Sequence, residues 1–233
     1  MKLHPTSSPA AERAIGAPRP LFSPRFPGVT MILCGTTATL WMLPLASFLL
    51  DYNRPSIIAS HQYARLLTCH LTHWSLNHLL WDVGALALLG SWCEWQMPRR
   101  FLLTLLTSAV AIPAAIFWLL PDMEFYRGLS GIDSALFGLL VTTLVATTIR
   151  RRRWLTAAAL VAIAVLFVAK LAFEIIYGTS FFVNASPSQN ALGFIPVPLA
   201  HAVGALCGCI AGASPACTCG VEARNHHLLT SDF

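Results

Sequence analysis

GLSGIDSALFGLLVTTLVATTIRRRR, residues 128–153, opens on a glycine-flanked serine and closes on four consecutive arginines. From Ser130 to Ile149 the only ionisable side chain is Asp133. That is about the 20 apolar residues a helix needs to cross a hydrocarbon core at a rise of about 1.5 Å per residue. Basic residues collect on the cytoplasmic side of a membrane, so Arg150 to Arg153 mark the cytoplasmic end, and Ser130 falls near the outer one.

Working outward, comparable apolar runs lie at 31–50, 74–93, 101–120, 154–177 and 191–213. Together with 129–149 they take up over half the chain. The composition agrees: 56% hydrophobic and 11% charged over 233 residues, with a mean hydropathy of +0.64. A soluble domain does not carry that much apolar surface. The sequence therefore predicts an all-α membrane protein, a six-transmembrane-helix bundle spanning 31–213. Residues 1–30, rich in Pro, Ser and Arg, read as a flexible cytosolic tail without the apolar region of a cleavable signal peptide, and 214–233 as a cytosolic C-terminal tail.

If the spans alternate, Lys2, Arg13, Arg19, Arg25, Arg99, Arg100, Arg150 to Arg153 and Arg224 share one side, and only Arg54, Arg65 and Arg127 the other. Both termini are thus expected in the cytoplasm of a bacterial cell, in its inner membrane. The net charge of +5 is a topology signal, and no nucleic-acid partner is expected. Seven cysteines, mostly in or beside spans, do not indicate structural disulfides. Cys207, Cys209, Cys217 and Cys219, with His226 and His227, lack finger spacing, and no metal or cofactor is expected. No repeat of the kind built into transporters is visible.

Ionisable groups inside a span cost about 2.5 to 3.5 kcal/mol each on insertion scales, so each needs a partner or a function. Here they cluster with other polar side chains: Asn77, His78, Asp82 and Glu94 on the second span, Ser130 and Asp133 on the fourth, Lys170 and Glu174 on the fifth, His201 on the sixth. Gly128 and Gly131 let other groups approach the Ser130 hydroxyl, and the start of a helix supplies free N–H groups for an anion. Read alone, the tetrapeptide fits tight helix packing better than catalysis. His201 is followed by Gly204 and Gly208, one smooth face on which another helix can pack. Counting inward, Ser130 lies about 5 Å and His201 about 10 to 15 Å below the outer surface. A serine and a histidine at matching depth on two glycine-lined helices point to a nucleophile and its base. His70 and His73 read as an interfacial loop wetted on one side, and Lys170 and Glu174, four apart, as a mutually neutralising pair.

These residues resemble the rhomboid intramembrane serine proteases. The resemblance runs in order through Arg65-Leu66-Leu67-Thr68, His73-Trp74-Ser75-Leu76-Asn77-His78-Leu79-Leu80-Trp81-Asp82, Gly90-Ser91-Trp92-Cys93-Glu94 (a GxxxE), the GxSG at Ser130 and the HxxGxxxG from His201. It implies a serine endopeptidase with catalytic Ser130 and His201, no essential acid, and an oxyanion held by the Ser130 N–H and His78, with Gly128 and Gly131 shaping the site. Its partners would be the lipid bilayer and a membrane-protein substrate with a C-terminal transmembrane tail. Lys170-Leu171-Ala172-Phe173-Glu174 and Pro196-Val197-Pro198-Leu199-Ala200-His201 look like the rhombosortase branch, which implies a GlyGly sorting tail on the substrate and a role for Lys170 and Glu174 in binding it. Three positions depart from the family pattern. Asp82 stands where asparagine is usual, Asp133 follows Ser130 by one turn, and Ser134 replaces an aromatic. An ionised Asp82 would repel an oxyanion unless protonated, turned away or paired with His78. The alternative is an inactive rhomboid-like protein that binds membrane helices; a metalloprotease finds no HExxH here.

Overall fold

The computed structural model describes residues 26–43, 45–178 and 197–214. Helices dominate: α1 (Gly28–Trp41), short α2 (Ala46–Leu50), α3 (Arg54–Ala59), α4 (Arg65–Thr68), α5 (Leu76–Ala85), α6 (Ser91–Gln96), α7 (Pro98–Leu119), α8 (Ser130–Arg150), α9 (Trp154–Tyr177) and α10 (Pro198–Ala213). A π-type turn over Leu86–Gly90 joins α5 to α6. Among the described residues three helices, α7, α8 and α9, are long and apolar enough to cross a membrane; α1 and α10 are shorter apolar helices. The expected run at 31–50 divides into α1 and α2, and the sequence puts Pro44, which has no N–H to donate, between them.

Helix α8 sits at the centre, packed most extensively on α10 and also on α7 and α9. The α8–α10 contact is backbone on backbone. A Cβ at Gly204 would collide with the Gly131 carbonyl, and one at Gly208 with that of Ala135. Side-chain-free faces permit this approach, where dispersion replaces the hydrophobic drive that lipid does not supply. Helix α9 is looser: Ala157 and Glu174 are its buried residues, and Leu155, Leu166 and Val168 are exposed. An apolar face open on a helix of this length suits lipid.

At one end the chain between α2 and α5 folds over the bundle as a cap. Tyr52 and Asn53 (β1) pair antiparallel with Phe125 and Tyr126 (β2). Buried Asp51 binds Arg65 at 2.6 Å and Arg127 at 2.8 Å. Burial pushes the Asp51 carboxyl above its ordinary pKa, while Arg127 and Arg65 pull it back down. Arg127 also stacks over the Trp74 ring at 4.3 Å, tying β2 to the entry of α5. At the opposite end, Glu94 accepts from the Val29 and Thr30 backbone N–H groups (2.9 and 2.8 Å) and from the Thr30 hydroxyl (2.8 Å).

Candidate active site

The chain reaches Ser130 through a turn that needs glycine. Gly128 has φ +123°, and a Cβ there would lie 2.8 Å from the His78 ring and 3.1 Å from Asp82 Oδ2. Its N–H donates to Cys69 O at 3.2 Å, and its carbonyl accepts from the Tyr126 hydroxyl at 3.3 Å. Ser130 is therefore delivered as the first residue of α8, where backbone N–H groups have no partner within the helix.

His201 is in the first turn of α10, which opens on Pro198, a residue suited to that position by its fixed φ. The packing of α10 on α8 brings His201 Nε2 to 3.0 Å from Ser130 Oγ, across 71 residues of sequence. The two expected site residues thus meet at hydrogen-bond distance. The imidazole is held from behind as well. Glu174 Oε2 is 3.2 Å from His201 Nδ1, and Lys170 Nζ is 2.8 Å from the same Glu174 oxygen and 3.2 Å from Nδ1. The Glu174 side chain is 0% exposed and that of His201 12%. Lys170 and Glu174 pair as their i, i+4 spacing requires, and the pair is fixed against His201.

On the other side of the serine lies a second carboxylate. Asp82 Oδ2 accepts from the N–H of Leu129 (2.8 Å) and of Ser130 (3.1 Å), with His73 Nε2 at 3.0 Å and His78 Nε2 at 3.2 Å. Ser130 N–H and His78, the two groups expected to hold an oxyanion, are both present and both directed at Asp82. Of the outcomes open to Asp82 in the sequence, pairing is the one seen, and it includes His73 as well as His78. Gly131 serves the helix contact: a Cβ there would meet Ile112 Cδ1 at 2.8 Å and the Ala200 carbonyl at 3.1 Å.

Expectation and structure part over the loop histidines. His70 and His73 were expected at a wetted surface, yet both are buried. His70 sits between two carbonyls, Ala109 O at 3.1 Å from Nε2 and Gly128 O at 3.4 Å from Nδ1, and burial pushes its pKa down. Burial likewise lowers His73, against the opposing pull of Asp82. Loop polarity misled the reading, because these side chains are consumed in bracing the Gly128 turn and Asp82. Ser134 Oγ bonds back to the Ser130 carbonyl at 2.8 Å, and the buried Asp133 carboxyl has no hydrogen-bond partner among the described residues. The sequence reading missed the contact of Glu174 with His201. The signal was available: Glu174 is three residues from the end of α9 and His201 three from the start of α10, so the two lie at similar depth. Cys217, Cys219, His226, His227 and Pro196 lie outside the described residues.

A serine whose hydroxyl faces an imidazole at the start of a glycine-packed helix, inside a bundle with membrane-length helices, is the arrangement that a serine hydrolase built into a membrane protein would need. A family model described as the Rhomboid domain matches residues 60–215, about two thirds of the chain, and the protein belongs to the rhomboid family, whose members are serine intramembrane proteases. No curated protein matches the chain.

Proposed function

We propose that this protein is an intramembrane serine endopeptidase that hydrolyses a peptide bond in or near the membrane segment of a surface or secreted protein. The observation that carries the reading is the 3.0 Å contact between Ser130 Oγ and His201 Nε2. A serine hydroxyl is a poor nucleophile until a base in reach takes its proton during attack. His201 Nε2 accepts that proton as Ser130 Oγ bonds to the scissile carbonyl carbon, then returns it to the leaving amine. Water, activated by the same imidazole, releases the acyl group and regenerates Ser130. The tetrahedral oxygen is held by Ser130 N–H and His78 once a substrate carbonyl displaces Asp82 Oδ2 from them.

In the same proposal α1, the α5–α6 segment, α7, α8, α9 and α10 are six spans of the inner membrane of a bacterial cell. Both termini are cytoplasmic and the site faces the outer side, as the basic residues beside Arg99 and Arg150 support. The resemblance of the fifth and sixth spans to rhombosortases supports a substrate with a C-terminal GlyGly sorting tail. Co-expression of the full chain with a GlyGly-tailed reporter tests class and substrate together, read as the mass of the reporter's C-terminus. Shortening is expected with the native chain and is abolished by Ser130→Ala and by His201→Ala. Shortening that persists in either variant ends the proposal.

One observation favours a second reading, an inactive rhomboid-like protein that binds membrane helices: Asp82 occupies the donors a hydrolase needs. A fluorophosphonate probe separates the two. Labelling lost in Ser130→Ala supports hydrolysis, and a native chain that is never labelled supports the binder.

A further inference from the structure

The geometry points to Glu174 as a positioning residue that completes a Ser130–His201–Glu174 triad, with Lys170 neutralising its charge. The inference rests on the hydrolase reading and deepens it. Glu174 Oε2 lies 3.2 Å from His201 Nδ1, on the far side of the ring from Ser130. A neutral imidazole has one N–H, and only the tautomer protonated on Nδ1 leaves Nε2 free to take the serine proton. An ionised carboxylate is an acceptor only, so Glu174 at Nδ1 selects that tautomer. Lys170 alone would do the reverse. Its ammonium has donors only, and at 3.2 Å from Nδ1 it favours an unprotonated Nδ1 and a proton on Nε2, where it blocks the base.

Charge leads to the same assignment. When Nε2 takes the proton of Ser130, the ring becomes a cation, with Lys170 Nζ 3.2 Å from its Nδ1. Two cations that close repel, and Glu174 between them cancels the repulsion: its Oε2 accepts from Lys170 at 2.8 Å and from the ring. The proton on Nδ1 stays there throughout, and only the Nε2 proton moves, from Ser130 to the ring and on to the leaving group. The carboxylate is tolerated at this depth because its side chain, 0% exposed, has a cation one helical turn away.

The test uses the full chain in detergent and a fluorophosphonate probe, whose inactivation separates into a maximal rate and an apparent affinity. Glu174→Gln is expected to lower the maximal rate by about 100-fold or more with little change in affinity, and Glu174→Asp to recover part of it. Glu174→Gln also leaves Lys170 unopposed, so the double variant Lys170→Met with Glu174→Gln controls for folding. It is expected to react faster than Glu174→Gln alone, which a purely structural ion pair does not predict. Nitrogen NMR of histidine-labelled chain, with the His201 signal identified by its loss in His201→Ala, reads the tautomer without any reaction. The native chain is expected to carry the proton on Nδ1, and Glu174→Gln to give a mixture. Equal rates and an unchanged tautomer in Glu174→Gln overturn the triad and leave the hydrolase reading intact. A native chain inert to the probe, whose Nδ1 proton still depends on Glu174, overturns the hydrolase reading and leaves the positioning role standing.

Discussion

Two carboxylates flank Ser130, and in the proposed hydrolysis they do opposite things. Glu174 lies behind His201, where positive charge develops during attack, and its own charge is matched by Lys170. Asp82 lies under the Ser130 N–H, where negative charge must develop, and its Oδ2 already accepts from that N–H and faces His78. In that proposal the same functional group favours the reaction on one side of the serine and opposes it on the other. Position relative to the moving charge decides the sign, which residue type alone does not reveal.

The largest effect on the Asp82 side is expected from His78. With Ser130 N–H it makes up the anion-holding pair, and losing one such donor costs a factor of about 100 to 1,000 in rate. His78→Ala should lower fluorophosphonate inactivation by that much while thermal unfolding of the detergent-solubilised chain moves little. An unchanged rate would remove His78 from the site. Asp82→Asn should act in the other direction and less strongly. Two like charges about 4 Å apart repel by about 4 kcal/mol at an effective dielectric of about 20, so removing one lowers the cost of the oxyanion. Part of that gain is lost with the acceptor that now braces Leu129 N–H, His73 and His78. We expect about a tenfold faster inactivation, the size of effect that corresponds to about 1.4 kcal/mol. A slower Asp82→Asn chain would make Asp82 a support of the site and erase the contrast with Glu174.

Much of this arrangement was legible in the sequence where spacing and helix geometry act together. The glycines at 131, 204 and 208 announced a close α8–α10 contact, and depth counting put Ser130 and His201 in the same outer half of the bundle, where the structure sets them 3.0 Å apart. The apolar runs at 101–120, 129–149 and 154–177 correspond to helices of membrane length. The cap was harder. His70 and His73 sit in a polar stretch without periodicity, and only the fold reveals that Ala109, Gly128 and Asp82 surround them. Glu174 pairs with Lys170 as their spacing announced, and its second contact, with His201, was harder to read for a related reason. An i, i+4 partner on its own helix already satisfied it, and depth counting, which puts Glu174 near the level of His201, does not fix which way the fifth helix turns that pair.

A third carboxylate sets the baseline for the other two. Glu94, at the far end of the α5–α6 segment, accepts from two N–H groups and a hydroxyl of α1, at Val29 and Thr30. It thereby satisfies donors that the helix cannot satisfy itself, and its negative charge complements the positive end of α1. Gly90, one turn earlier, makes room: a Cβ there would stand 2.9 Å from the Thr30 side chain. Nothing in this contact reaches Ser130, so Glu94→Gln should weaken the fold without touching the chemistry. Hydrogen bonds to a charged acceptor are worth about 1.5 to 3 kcal/mol, and the amide keeps part of that, so a loss of about 1 to 2 kcal/mol is expected. Thermal unfolding should show it, while the maximal inactivation rate per folded molecule stays at the native value. A fall in that rate comparable to Glu174→Gln would mean that α1 is coupled to the active serine, and that carboxylates in this bundle do not divide into those that hold helices and those that act on Ser130.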